Sequence, residues 1–192
     1  PAPKPTPASA APADGGPPER FYYGQPAFTL VNDQTGTEAG AVTEYARDWG
    51  RERAEVYDTT VRLGALPLPK RERKVFRSGR ATTINEQNGR SRSATAPTDA
   101  RILASSAGRS PEEAGALIMA AVGGRATGER GAFAGHGCEY YENPAIGARA
   151  CVADWGGTLY LRVRLGGAEF ERTVTEVRLG DPGSDAVYAT DG

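Results

Sequence analysis

Residues 158–165 read Thr-Leu-Tyr-Leu-Arg-Val-Arg-Leu. Leu159, Leu161, Val163 and Leu165 fall on every second position, with Tyr160, Arg162 and Arg164 between them. Only a β-strand has that period, so the four apolar side chains share one face. Gly166-Gly167 follows at once, and both residues accept the positive φ that a two-residue hairpin needs. Ala168–Leu179 is then the returning strand. An isolated hairpin with one apolar face is marginal in water, so the rest of the chain must supply further strands to cover it.

It does so with the punctuation of a turn-rich β protein. The 192 residues include 25 Gly and 14 Pro, about a fifth of the chain, which disfavours a helical bundle. Alternation runs through Ala41–Trp49, where Ala41, Thr43, Tyr45, Arg47 and Trp49 oppose Val42, Glu44, Ala46 and Asp48. Trp49-Gly50 turns the chain into Arg51–Leu63, with Tyr57, Thr59, Val61 and Leu63 on one face. A loop with Pro67 and Pro69 is expected next. A strand over Lys70–Arg77 follows, closed by Ser78-Gly79, and another over Arg80–Gln87, closed by Asn88-Gly89. Residues 91–109 read as loop. Ser110, Pro111 and Glu113 stand where an N-cap, a first helical residue and a capping-box acid belong. They predict one α-helix over about 110–123, with Leu117, Ile118, Ala121 and Val122 as its stripe and Gly123-Gly124 as its stop. Strands return at Cys138–Glu142 and Arg149–Ala153. The expected fold is mainly β, a curved antiparallel sheet or half-barrel with one helix. A β-sandwich with a helical insertion is the alternative.

The termini differ in composition. Residues 1–20 hold seven Pro and five Ala, which reads as an extended polyproline-like arm over 1–25. The single β-rich domain then covers 26–180. Residues 181–192 carry three Asp and no basic residue, and are expected to be an exposed acidic tail. Phe21, Tyr22, Tyr23 and Phe28 adjoin the arm, and aromatics so placed anchor an arm to a partner or to the parent sheet.

Charge and cysteine usage bound the class. Lys+Arg 23 against Asp+Glu 24 excludes the strong positive balance of a nucleic-acid binder. No apolar run is long enough for a transmembrane helix. The chain starts at Pro1 with no initiator Met and no basic-plus-apolar leader, which is read as an exported chain whose signal peptide is removed, or else as a trimmed one. Cys138 and Cys151, with 12 residues between them, suit a disulfide and an oxidising compartment, periplasmic or extracellular. Two buried thiols in a cytosolic chain are the alternative. With 20 Arg and 3 Lys, the composition fits a GC-rich bacterial genome.

Several motifs, in order, resemble the LolA-like lipoprotein-carrier superfamily, in particular its uncharacterised extracytoplasmic branches. They are the turn Asp48-Trp49-Gly50-Arg51, the strand start Glu52-Arg53-Ala54-Glu55, the turns Ser78-Gly79 and Asn88-Gly89, the segment Gly131–Cys138, and Trp155-Gly156-Gly157-Thr158-Leu159 leading to Thr173–Val177. The resemblance spans residues 26–180. It implies a half-barrel wrapped over helix, an apolar cavity, and carriage of lipids or lipid-modified chains without chemistry. The sequence shows one marked helix where such carriers have more.

Chemistry-bearing motifs are few. His136, the sole histidine, lies two residues from Cys138. With Glu139 and Cys151 it offers a metal-ligand set, but the plain reading is a hairpin histidine. No C-x-x-C, C-x-x-C-H, Walker or Rossmann pattern occurs, so no cofactor is expected. Glu112-Glu113 belongs to a helix cap, and Glu169 with Glu171 to one strand face, so neither suggests a carboxylate dyad across a cleft. The remaining feature is basic: Lys70, Arg71, Arg73, Lys74, Arg77 and Arg80 stand within a locally positive stretch. Such a stripe suits an anionic partner, or is simply a solvated sheet face. The expectation is therefore a non-enzymatic extracytoplasmic module. It is an accessory subunit of an envelope or surface assembly, contacting other proteins through its arm and basic stripe. The alternative is a periplasmic carrier of a lipid or acylated protein.

Overall fold

The computed structural model describes residues 17–190. Eleven strands form one antiparallel sheet that does not close into a barrel. In chain order they are β1 (Phe28–Gly36), β2 (Glu38–Arg47), β3 (Glu52–Leu63), β4 (Leu66–Arg77), β5 (Arg80–Asn85), β6 (Ser91–Thr95), β7 (Arg125–Phe133), β8 (His136–Asn143), β9 (Ala148–Val152), β10 (Thr158–Leu165) and β11 (Ala168–Leu179). The spatial order is β6-β5-β4-β3-β2-β1-β11-β10-β9-β8-β7. Two meanders thus join where the first strand pairs with the last. The segment between β6 and β7 must cross from one sheet edge to the other, and it carries α1 (Pro97–Ser105) and α2 (Ala114–Ala121).

Strand alternation sorts the side chains. Register places Arg53, Glu55 and Tyr57 of β3 on the same face as Phe28, Leu30 and Gln34 of β1, Arg172 of β11, Leu161 of β10 and Tyr141 of β8. Both helices lie on this face. Asp99 of α1 pairs with Arg53 at 2.6 Å. Met119 of α2 packs with Tyr141, Ala150, Val152 and Leu161. A larger cluster joins Phe28, Leu30, Ala46, Trp155, Leu159 and Val174 beneath the arm aromatics. Gly115 lets α2 approach the β9–β10 loop, because a Cβ there would meet the Ala153 carbonyl at 2.3 Å.

The expected hairpins at Gly166-Gly167 and Ser78-Gly79 are present, and β10 and β11 keep their expected bounds. Ser110 and Glu113 form the reciprocal capping box, on a 3₁₀ turn over Pro111–Glu113 that leads into α2. Four expectations need correction. Residues 91–109 are not loop: they hold β6 and α1. Ser91–Thr95 is wholly exposed, and α1 buries only Ile102, so neither shows apolar periodicity. β7 likewise carries almost no buried side chain. The Pro67/Pro69 loop is strand. Both prolines have the parity of Arg71, whose carbonyl faces β5, and β5 ends its pairing with β4 at Glu72, so their missing N–H groups face no neighbour.

The fourth correction is the acidic tail. Its segment up to Thr190 is docked on the sheet face opposite the helices. Tyr188 is only 1% exposed and packs with Ala54, Val75 and Ile84. Arg73 donates from Nη1 to the Ala186 and Val187 carbonyls at 3.2 and 3.3 Å, and also to that of Ala189. Arg47 pairs with Asp185 at 2.5 Å and lies over the Tyr188 ring. Asp185 points outward, while Val187 and Tyr188 face in.

Candidate functional site

The helix-bearing face changes character along the sheet. Under α2 it is apolar, whereas on β1–β4 a polar centre builds around Tyr57. Arg172 reaches Glu44 with Nη1 at 3.0 Å and Gln34 Oε1 with Nε and Nη2 at 3.1 and 2.9 Å. Glu44 and Glu55 are register neighbours on β2 and β3. Two like charges so placed repel, and each has its own compensation. Glu44 takes Arg172, and Glu55 accepts the Tyr57 hydroxyl. Lys70 Nζ and Lys74 Nζ each lie 4.6 Å from the Tyr57 ring centroid, and Lys70 also pairs with Glu38 at 3.1 Å. Glu72 stands 3.9 and 3.7 Å from the two ammonium groups.

Burial sets the electrostatics here. It pushes the Glu44 carboxyl above the ordinary carboxylate range, and Arg172 only partly offsets that. It also raises the Tyr57 hydroxyl strongly, with the Glu55 charge acting in the same direction. Burial alone would lower Arg172, but Glu44 and Tyr57 more than reverse it. A raised carboxyl beside a second carboxylate is a feature of acid–base sites. In this centre both acids are engaged in holding neighbours.

Beyond the polar centre the face ends in an apolar rim. Leu63 and Leu66, paired across the β3–β4 hairpin, are 62% and 59% exposed, and Leu165 at the β10–β11 hairpin is 57% exposed. Leu68, opposite Val61, is exposed as well. Chain direction puts these two hairpins at one end of the sheet, and alternation puts all four leucines on the helix-bearing face. Neither the polar centre nor the rim was picked out from the sequence. The Arg172 contacts join residues 128 and 138 positions apart, and no local pattern announces them. The rim does have a local signal, a Leu-Gly step at each hairpin, Leu63-Gly64-Ala65-Leu66 and Leu165-Gly166.

The residues singled out from the sequence are dispersed. Cys138 and Cys151 form the expected disulfide between β8 and β9, which removes both as metal ligands or nucleophiles. Phe21 and Phe28 are buried within the chain's own core. The Phe21 amide donates to Ser106 Oγ at 2.9 Å, and the Tyr22 and Tyr23 amides donate to the Trp49 carbonyl. Tyr22 lies against Arg53, and Tyr23 against Phe28 with centroids 4.8 Å apart. This segment is therefore anchored to the parent sheet through its backbone and the buried Phe21 and Phe28 rings, while Tyr22 and Tyr23 are half-buried. The rest of the expected arm, residues 1–16, lies outside the described residues.

The basic residues do not form one stripe. Alternation sends Lys70 and Lys74 to the helix-bearing face and Arg71, Arg73, Arg77 and Arg80 to the other. Most also have carboxylate partners: Arg71 with Asp58 at 3.5 Å, Arg73 with Glu86 at 2.7 Å, and Arg77 with Glu52 at 3.0 Å.

No known protein-family model matches the sequence, and no curated protein matches it. Among solved structures, PNGF-II is similar over 86% of this chain at 8% identity, with a TM-score of 0.48. This chain spans 31% of the length of that one. LprF from Mycobacterium bovis is similar over 86% of this chain and 90% of its own, at 12% identity and a TM-score of 0.39. Both likenesses are weak.

Proposed function

We propose that this protein is a non-catalytic extracytoplasmic binding module whose helix-bearing face receives an amphipathic partner, a lipid or a lipid-modified chain. The observation that carries this reading is the rim of exposed leucines set beside a semi-buried polar centre on one sheet face. Solvent-exposed leucines cost little singly, but several at one end of a face suit an apolar chain. The Tyr57 centre offers cations and hydrogen-bond groups to a polar head. The Cys138–Cys151 disulfide supports an oxidising compartment. The position of His136 at a hairpin tip supports a role without catalysis. The test is gentle purification from the source organism, followed by mass spectrometry of what travels with the chain. Co-purifying acyl lipid or acylated protein, lost from a Leu63→Ser/Leu66→Ser/Leu165→Ser variant of unchanged melting temperature, supports the reading. A chain that carries nothing and takes up no lipid overturns it.

A second reading, an accessory subunit of an envelope assembly, is favoured by β6. This edge strand is fully exposed, and among the described residues no strand pairs with its outer side, which suits addition of a partner strand. Co-elution with other envelope proteins at high mass, lost when Ser93→Pro blocks the edge, is the expected result for that reading.

A further inference from the structure

Residues 181–190 are held on the sheet without belonging to it. Strand β11 ends at Leu179, and the Gly180 amide still donates to the Ala27 carbonyl at 2.8 Å. Beyond that point, among the described residues, no backbone-to-backbone hydrogen bond joins the chain to a strand. The segment bonds only to itself, Val187 to the Ser184 carbonyl at 3.1 Å and Ala189 to that of Ala186 at 3.3 Å, around one 3₁₀ turn over Asp185–Tyr188.

Side chains of the sheet do the holding, on the face opposite the helices. Thr29 Oγ1 donates to the Asp181 carbonyl at 2.9 Å, and the Tyr45 ring lies against Gly183. Arg47 takes Asp185, Arg73 takes the carbonyls of Ala186, Val187 and Ala189, and the Tyr188 ring enters the pocket of Ala54, Val75 and Ile84. The segment thus crosses from β1 to β5. Past Thr190 the groove runs on as a cleft of about 230 Å³ beside Val75, Arg77, Arg80 and Thr82. These contacts read few features of sequence. Main-chain carbonyls are offered by any peptide, so what the groove selects is one acid, through Arg47, and one aromatic ring three residues later.

Little opposes release of the segment. One ring is buried, and against it stands the ordering of ten residues that no ladder bond fixes. Arg47 and Arg73 each keep a second partner, Glu52 at 2.6 Å and Glu86 at 2.7 Å, so release strands no cation. Gly180 and Gly183, at φ 79° and 71°, stand on either side of Asp181-Pro182 and give the lead-in a glycine joint at each end.

We infer that this face of β2–β5 is a peptide-docking groove, occupied by residues 181–190 as a releasable strap, and that it takes a short peptide of a partner protein with an acid three residues before an aromatic. The strap is the template for that partner, because its own contacts define the chemistry the groove fits. A tethered strap competes at an effective concentration on the order of millimolar, so the groove answers only to a partner that outcompetes it. The groove lies on the face opposite the leucine rim and does not depend on what the rim holds.

The test uses the full chain carrying Tyr188→Ala, which empties the ring pocket, and a fluorescent peptide of residues 182–190. The variant should bind this peptide about tenfold or more tightly than the wild type, whose own strap competes. Replacing the tyrosine of the peptide by alanine should abolish binding, and replacing its aspartate by asparagine should weaken it severalfold. Adding Arg73→Gln to Tyr188→Ala should weaken binding by about tenfold. No binding to the variant, equal binding by variant and wild type, or binding indifferent to the tyrosine of the peptide would overturn the inference. Hydrogen exchange on the wild type is a second readout that needs no variant. The Val187 and Ala189 amides should exchange about a hundredfold or more faster than those of Tyr57 and Val75, as a strap that opens by itself requires. Equal protection would mean that the segment opens only with the whole sheet, and would overturn the inference as well. Wild-type dimers that grow with concentration and vanish in Tyr188→Ala would give the groove to the segment of a second copy, and would overturn the assignment to a partner protein.

Discussion

Two regions of one sheet face follow the same β alternation and end in opposite states. On β8–β11 and the start of β1, the side chains under α2 and the arm aromatics are apolar and closed: Leu159, Val174, Phe28 and Trp155 pack in one buried cluster. On β2–β4 the same face carries Glu44, Glu55, Tyr57, Lys70 and Lys74, tied together by Arg172 from across the β1–β11 seam. The difference shows where the fold has spent its apolar residues. The helices and the Phe21–Tyr23 segment cover only part of the face. The uncovered part is filled by groups that tolerate water and still interlock, and its far end is left to exposed leucines. The closed region should respond to loss of volume, and the polar region to loss of charge and to pH.

Phe28→Ala attacks the closed region and should have the largest effect, a loss of about 3–5 kcal/mol, because it empties a ring-sized volume between Tyr23 and Trp155. The loss should be the same at pH 5 and pH 7 in urea unfolding, since nothing beside the ring titrates in that range. Arg172→Leu attacks the polar region. Breaking a buried pair leaves Glu44 as an uncompensated carboxylate, at a cost of about 3 kcal/mol at neutral pH. Its dependence on pH has a definite sign. Glu44 is already pushed above its unfolded value by burial, and losing Arg172 raises it further. A group raised in the folded state favours folding at low pH and loses that contribution as pH rises, so the deficit should shrink on acidification. A deficit independent of pH would show that Arg172 acts through packing, and would remove the distinction between the two regions.

The disulfide sharpens the comparison further. Cys138 and Cys151 are both fully buried members of the closed cluster, so Cys138→Ser/Cys151→Ser should cost about 2–3 kcal/mol through the freed loop. The polar centre should be untouched. Tyr57 absorbance titrated to high pH should keep its raised midpoint in this variant and lose it in Arg172→Leu only if the centre collapses.

What was legible in the sequence follows the same division. The hairpins at Gly166-Gly167 and Ser78-Gly79, the capping box of Ser110 and Glu113, and the disulfide all have local signatures, and all stand as expected. The edge strands β6 and β7 were invisible because an exposed edge needs no apolar alternation. Helix α1 was invisible because one buried residue, Ile102, makes no stripe. Tyr188 was misplaced because the composition of its segment hid one buried ring among acidic residues. The basic stripe failed for a reason present in the sequence itself. Strand period separates Lys70 from Arg71 and Lys74 from Arg73, so a run of cations on a strand is two half-runs on opposite faces. The polar centre could not be foreseen, since its defining contacts cross the seam between the chain's first strand and its last.

The smallest expected effect on stability is the most informative about function. Leu63→Ser and Leu66→Ser change largely exposed side chains that pair with each other and belong to no buried cluster, so unfolding midpoints should move by no more than about 0.5 kcal/mol. Were the rim part of the packed structure, the loss would instead approach that of a core leucine, about 2–5 kcal/mol. A near-silent stability change would leave these leucines free to meet the apolar partner proposed for this face. The same variants should therefore bind fewer acyl-bearing ligands while the Phe28 and Arg172 variants, measured where they remain folded, bind as before or lose only head-group preference. A rim variant that stays folded and keeps every ligand would place the binding surface elsewhere on the sheet.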